Sequence, residues 1–122
     1  MKRVLIADNE PAERQLLAAS IAHTGVEVLV AANGHEAWSL LQTRRPELAL
    51  LDINMPGRSG LELTRAIRAD AGLKTTRVVL VSAHAGEDDV LAGRTAGADE
   101  YVTKPFSPRG LQNLVAELLA AV

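Results

Sequence analysis

Three unbroken apolar runs constrain this chain more than any other feature: Val4 to Ala7, Leu48 to Leu51 and Val78 to Val81. Each stops abruptly at one polar residue, respectively Asp8, Asp52 and Ser82. Short apolar runs bounded by turn residues read as strands buried on both faces. The middle run is the sharpest case. Leu48-Ala-Leu-Leu-Asp52 leads into Ile53-Asn54-Met55-Pro56-Gly57, with Gly60 close behind, so the chain must turn away just where the charge appears. Asp52 is thereby placed at the exposed end of a buried strand.

The segments between these runs read as helices. Pro11 is tolerated in the first turn of a helix and precedes Leu17 and Ile21, one helical turn apart. Gly25 is expected to close that helix as its C-terminal cap. Val26 to Ala32 forms a second strand interrupted by Glu27. Asn33-Gly34 then makes a turn. Ala37, Leu40 and Leu41 line a second helix that stops before Pro46. Ser59-Gly-Leu-Glu62 has the Ser-x-x-Glu form of a capping box and opens a helix through Arg68, with Leu63 and Ile67 on its buried face. A fourth helix from about Gly86 carries Asp88 and Asp89 near its positive end, contains Gly93 and is expected to be the loosest. Glu100 to Thr103 is a short fifth strand leading to Lys104-Pro105-Phe106. Ser107-Pro108 supplies an N-cap followed by a first-turn proline. Leu111, Leu114, Val115, Leu118, Leu119 and Val122 then keep strict helical spacing.

Five strands alternating with five helices require crossover connections, so the fold class is α/β: a doubly wound five-stranded parallel sheet, flavodoxin-like, with helices on both faces. Glu27, Glu100 and Tyr101 mark the second and fifth strands as edges, which gives the order 2-1-3-4-5. Winding reverses between strands one and three, and ligands bind outside the carboxyl ends of strands at such a point. Asp8, Asp52, Ser82 and Lys104, from four strand ends, are therefore expected to converge.

At 122 residues and 13.0 kDa the chain is expected to be one domain, residues 1–122. Aromatics make up 2%, so Leu, Val, Ile and Ala must build the core. A net charge of −2 gives no electrostatic basis for a nucleic-acid or anionic-membrane partner. The absence of cysteine excludes disulfides and thiolate chemistry. The apolar stretch after Arg3 is too short for a signal peptide, and no run approaches the roughly 20 residues of a membrane span, so a cytoplasmic location is expected.

Two carboxylates facing each other repel, and one pKa rises unless a cation intervenes. Lys104 supplies one positive charge. A hard divalent ion held by Asp8, Asp52 and a backbone carbonyl near Asn54 would supply two more, and Mg2+ characteristically uses one or two carboxylates with waters and a phosphate oxygen. A carboxylate so placed can attack a phosphoryl group to form an aspartyl phosphate.

These residues, Asp8-Asn9, Asp52 with Asn54-Met-Pro-Gly57 and Gly60, Ser82-Ala83, Tyr101 and Lys104-Pro105-Phe106, resemble over the whole chain the receiver domain of two-component response regulators. The resemblance implies a signalling switch rather than a turnover enzyme. Asp52 would accept a phosphoryl group from a sensor histidine kinase, a phosphotransfer protein or a small phosphodonor, with Mg2+ bound. Lys104 would pair with that group, Ser82 would swing to hydrogen-bond it, and Tyr101 would turn inward. The surface of the fourth helix, fifth strand and fifth helix would change for output or homodimer formation. The peptide before Pro105 would be cis. Asn9 stands where the family usually has a second acid that ligates the metal, so Mg2+ should bind more weakly. His84 and Asn54 occupy places that tune hydrolysis of the acyl phosphate.

Other readings compete. Asp52 alone could be a turn aspartate, Asp8-Asn9 a helix cap, and Lys104 a solvated lysine. Tyr101 is first a good β-former. Trp38 reads as helix packing, His23 and His35 as surface residues far from the carboxylates, and Arg44-Arg45 as a solvated helix end. A flavin module would meet anion repulsion from Asp8 and Glu10. A phosphatase with an aspartyl-phosphate intermediate would need its Asp-x-Asp pair on the first strand. A pseudo-receiver, a protein-interaction module that is no longer phosphorylated, is favoured by Asn9.

Overall fold

The computed structural model describes residues 1–22 and 25–121. Ten elements follow in strict alternation: β1 (Arg3–Ala7), α1 (Pro11–Ile21), β2 (Glu27–Ala31), α2 (Gly34–Arg44), β3 (Leu48–Asp52), α3 (Gly60–Ala69), β4 (Arg77–Ser82), α4 (Glu87–Ala96), β5 (Glu100–Thr103) and α5 (Pro108–Ala120). The five strands form one parallel sheet in the order β2-β1-β3-β4-β5. The chain is thus the doubly wound α/β fold its apolar runs predict.

Alternation along each central strand sends successive side chains to opposite faces, and both faces are dry. Leu5, Ala7, Ala49, Leu51, Val78 and Leu80 pack with Leu41 of α2 and Leu63 and Ile67 of α3. Val4, Ile6, Leu48, Leu50, Val79 and Val81 pack with Leu17 and Ile21 of α1 and Leu111, Val115 and Leu119 of α5. Val, Leu, Ile and Ala supply this core, with Met55 added at the loop after β3. Register sets the site: Ala7 pairs with Leu51 and with Ala31, while Asp52 pairs with Val81 and Ser82 with Thr103. Asp8, Asp52, Ser82 and Lys104 consequently emerge along one edge, each at or just past a strand's carboxyl end.

Several local expectations are met by named bonds. Ser59 caps α3, its hydroxyl accepting from the Glu62 N–H, and Ser107 caps α5 by accepting from the Gly110 N–H. Such caps are worth about 1 kcal/mol each. The Lys104-Pro105 peptide is cis.

Others are corrected. Gly25 does not cap α1; the cap is Ala22 in a right-handed conformation, and Gly25 takes its positive φ of 71° beyond the helix. Asn33-Gly34 is not a free turn: Asn33 is the N-cap of α2, accepting from the Glu36 N–H, and Gly34 is its first residue. Arg44 is not a solvated helix end, because its guanidinium bonds the Glu27 carboxylate at 3.0 Å, which Arg3 also reaches at 2.8 Å. That pair of bonds, led by Arg3, holds the Glu27 carboxyl below its ordinary range. Arg45 does end α2, in a left-handed conformation. Trp38 is half-buried against the core as expected, with the Arg58 guanidinium 4.9 Å above its ring. His35 is exposed, yet its imidazole lies against Gly57 in the loop that follows Asp52. His23 and Val122 lie outside the described residues.

Candidate functional site

Asp8 leaves the end of β1 fully buried, and Asp52 ends β3 with its side chain 8% exposed. Lys104 reaches back from beyond β5 so that its ammonium lies 3.4 Å from Asp8 Oδ2 and 3.4 Å from Asp52 Oδ2. Its side chain is 15% exposed, which removes the solvated-lysine reading. Asp8 and Asp52 are each locked by a backbone donor two residues on. The Glu10 N–H donates to Asp8 Oδ1 at 2.9 Å and the Asn54 N–H to Asp52 Oδ1 at 3.2 Å. Asp8 therefore does brace the start of α1, although the N-cap position itself belongs to Glu10, whose side chain is exposed.

A third carboxylate enters that the sequence reading did not single out. Glu13, in the first turn of α1, hydrogen-bonds the Lys104 ammonium, and one carboxylate oxygen each from Asp8, Glu13 and Asp52 lie within 4.8 Å of one another. Burial, with the nearby Asp52 charge assisting, pushes the Asp8 carboxyl up to about 6 against the partial relief of the Glu10 N–H and Lys104. Glu13 is held below its ordinary range, first by its bond to Lys104. Burial opposes the charge on Lys104, but the Glu13 bond and the Asp52 and Asp8 charges outweigh it and hold the ammonium above its usual pKa. The expected rise in one carboxyl pKa thus falls on Asp8, chiefly through desolvation.

This has a measurable consequence in chelator. A raised folded pKa means that the folded state keeps a proton the unfolded chain has lost, so Asp8 costs stability as pH climbs from 3.8 through about 6. Asp8→Asn is expected to raise metal-free stability by on the order of 1–2 kcal/mol at neutral pH, with no gain in acid. Thermal melts in chelator across a pH series check this; a gain that does not vary with pH would contradict it.

The other side of the site carries a hydrogen-bonded chain. Ser82 is fully buried, and its Oγ accepts from the His84 N–H at 3.1 Å. The His84 carbonyl accepts in turn from the Tyr101 hydroxyl at 2.7 Å. Tyr101 is half-buried against the core, and its ring reaches α4 where Gly93 leaves room: a Cβ there would meet the ring at 2.9 Å. Asn9 and Asn54 are exposed, and the His84 side chain faces solvent.

The family described as "Response regulator receiver domain" matches residues 4–116 of this chain. The chain belongs to that family. It is 39% identical over 121 residues to the phosphate regulon transcriptional regulatory protein PhoB of Pseudomonas aeruginosa, covering 99% of this chain and 52% of PhoB. It is 35% identical to Protein PilH of the same organism, covering 98% of this chain and 99% of PilH. The chain thus spans about half of the first relative and nearly all of the second. Among solved receivers it superposes with a TM-score of 0.92 on the Francisella response regulator 1452 receiver domain, at 29% identity and 99% and 98% coverage. On the BeF3-activated DrrB receiver domain the TM-score is 0.90, at 27% identity and 98% coverage of both chains.

The acidic triad is typical of a receiver metal site, and its donor set fits a divalent ion. The three carboxylates offer hard oxygen ligands within 4.8 Å of one another, the chemistry that suits a hard cation such as Mg2+ rather than a metal that prefers thiolate or imidazole. No helix among the described residues is long and apolar enough to cross a membrane.

Proposed function

We propose that this receiver is an active phosphoryl switch in which Asp52 is the acceptor. The observation that carries the reading is the Lys104 ammonium, set 3.4 Å from both Asp52 and Asp8 at the carboxyl edge of the sheet. An Asp52 carboxylate oxygen attacks phosphorus of a phosphohistidine on a sensor kinase or phosphotransfer protein. The P–N bond breaks, its electron pair returns to the imidazole, and an acyl phosphate forms. Mg2+, bound when present by Asp8, Asp52 and a carbonyl near Asn54, would neutralise charge on the phosphoryl oxygens. Lys104 contributes the second neutralising charge, and transfer needs little beyond such positioning and charge compensation.

Output follows from the Ser82–His84–Tyr101 chain. The Ser82 hydroxyl is a single donor with spare acceptor capacity, so it can donate to a phosphoryl oxygen while still accepting from His84. A shift of Ser82 toward Asp52 therefore pulls on the N–H of His84, the residue whose carbonyl, in the next peptide, holds Tyr101. Tyr101 already lies against the core in this structure, so the switch biases an existing position of the ring rather than creating it. The surface it edges, α4, β5 and α5, is the proposed face for a partner or a second copy, with no direct contact to nucleic acid.

Trifluoroberyllate, which mimics the phosphoryl group, tests this reading. With Mg2+ it should bind wild type and perturb amide resonances from Asp52 to Tyr101, and it should not bind Asp52→Ala. No binding to wild type would instead favour the pseudo-receiver, for which Asn9 is the specific observation.

An amide at Asn9 can ligate Mg2+ without charge, so Asn9→Asp is expected to tighten Mg2+ roughly tenfold. Superimposable Mg2+ titrations of the two proteins would contradict that. His84→Ala is expected to change the lifetime of the phosphorylated protein severalfold, because an exposed imidazole two residues beyond Ser82 is placed to orient or obstruct water approaching the site. An unchanged decay rate would remove His84 from hydrolysis.

A further inference from the structure

The pocket holds three carboxylates although one acidic position of the receiver pattern is occupied by Asn9. Asp8 and Asp52 come from strand ends, and the third, Glu13, comes from a helix turn. A cation already sits among them: the Lys104 ammonium reaches Asp8, Asp52 and Glu13 together. Asn9 is exposed one residue past Asp8, whereas Glu13 is half-buried with an oxygen within 4.8 Å of both aspartates.

We infer that Glu13 supplies the negative charge Asn9 lacks, serving directly or through a metal-bound water as the third carboxylate of the divalent-ion site. The inference rests on the proposed Mg2+-dependent chemistry and names the residue that completes its charge. Replacing an acid by Asn9 while Glu13 is present leaves the pocket at three carboxylates and one ammonium. That is the net charge the pocket would have with an acid at position 9 and a neutral residue at 13.

Glu13 holds the Lys104 ammonium. The oxygens of Asp8, Asp52 and Glu13 that reach this ammonium are the ones that would hold a divalent ion, and Lys104 would then be left to meet a phosphoryl oxygen on Asp52. Glu13 lies in the first turn of α1, where its carboxylate comes within 4.8 Å of those of Asp8 and Asp52.

The experiment is a Mg2+ titration followed by calorimetry and by thermal shift, without phosphodonor, on five proteins: wild type, Glu13→Gln, Asn9→Asp, the double variant of these two and Asp52→Ala. Glu13→Gln should weaken Mg2+ roughly tenfold or more. Adding Asn9→Asp to it should bring the affinity back to within a few-fold of wild type. Melting in chelator shows that each variant is folded before metal is added. An unchanged Mg2+ affinity in Glu13→Gln overturns the inference, as does a double variant that stays as weak as Glu13→Gln. If Glu13→Gln is unchanged while Asp52→Ala loses Mg2+, only the role of Glu13 fails; if wild type binds no Mg2+, the phosphoryl-switch reading fails with it.

Discussion

Lys104→Met is expected to lower the stability of the metal-free protein by about 3 kcal/mol, because removing one member of a buried charge cluster leaves the others uncompensated. The cluster is unusually one-sided. A single ammonium faces Asp8, Asp52 and Glu13, and Asp8 is fully buried with its carboxyl already pushed up to about 6. Methionine keeps an unbranched apolar stem as long as that of lysine and lacks only the ammonium, so the loss reports charge rather than packing. Half-exposed Glu13 will be screened by water and can turn outward, which keeps the cost from growing further. Saturating Mg2+ should restore most of the loss, since a divalent ion replaces the missing charge and stabilises the folded state by binding it. Thermal melts with and without Mg2+ decide this. Equal losses in both would mean that Lys104 matters for its stem, and would separate the ammonium from the metal.

Gly34→Ala is expected to cost about 3 kcal/mol and to disturb the site from a distance, as overpacking against backbone does when no side chain can yield. A Cβ at Gly34 would be driven into the backbone of Arg58, well inside van der Waals contact of its carbonyl oxygen. The Gly34 N–H also donates to the Pro56 carbonyl at 3.0 Å, so the start of α2 and the loop after Asp52 are held together at this residue. Pushing them apart moves the loop that carries Asn54 and the backbone donor to Asp52. The variant should therefore melt earlier and bind Mg2+ more weakly. A stability change of about half a kcal/mol, the range of an ordinary surface substitution, would show that the loop can yield freely.

The sheet was legible because its information is local and redundant. Each apolar run announces a buried strand, Glu27 and Glu100 mark the edges, and the order then places Asp8, Asp52, Ser82 and Lys104 together without reference to any single contact. Residues whose role depends on a helix's direction were harder to read. Glu13 belongs to the first turn of α1, and nothing in its spacing from Asp8 shows that the helix aims it at Lys104. The available signal was an acid in the first turn of the helix that starts at the switch point, which ordinarily means only a favourable helix dipole. Gly93 read as a weakness of α4, whereas it is the gap that lets the helix approach the Tyr101 ring. Arg44 read as solvated because its partners Glu27 and Arg3 lie on neighbouring strands, close in space but distant in sequence.

The intact mass of the protein after incubation with a small phosphodonor tests the central claim most directly. Wild type with Mg2+ should gain the mass of one phosphoryl group, labile to base as an acyl phosphate is, and should not gain it in chelator or as Asp52→Ala. A stable, folded wild type that gains no mass with Mg2+ present, or an Asp52→Ala protein that gains the same mass, would contradict Asp52 as the phosphoryl acceptor.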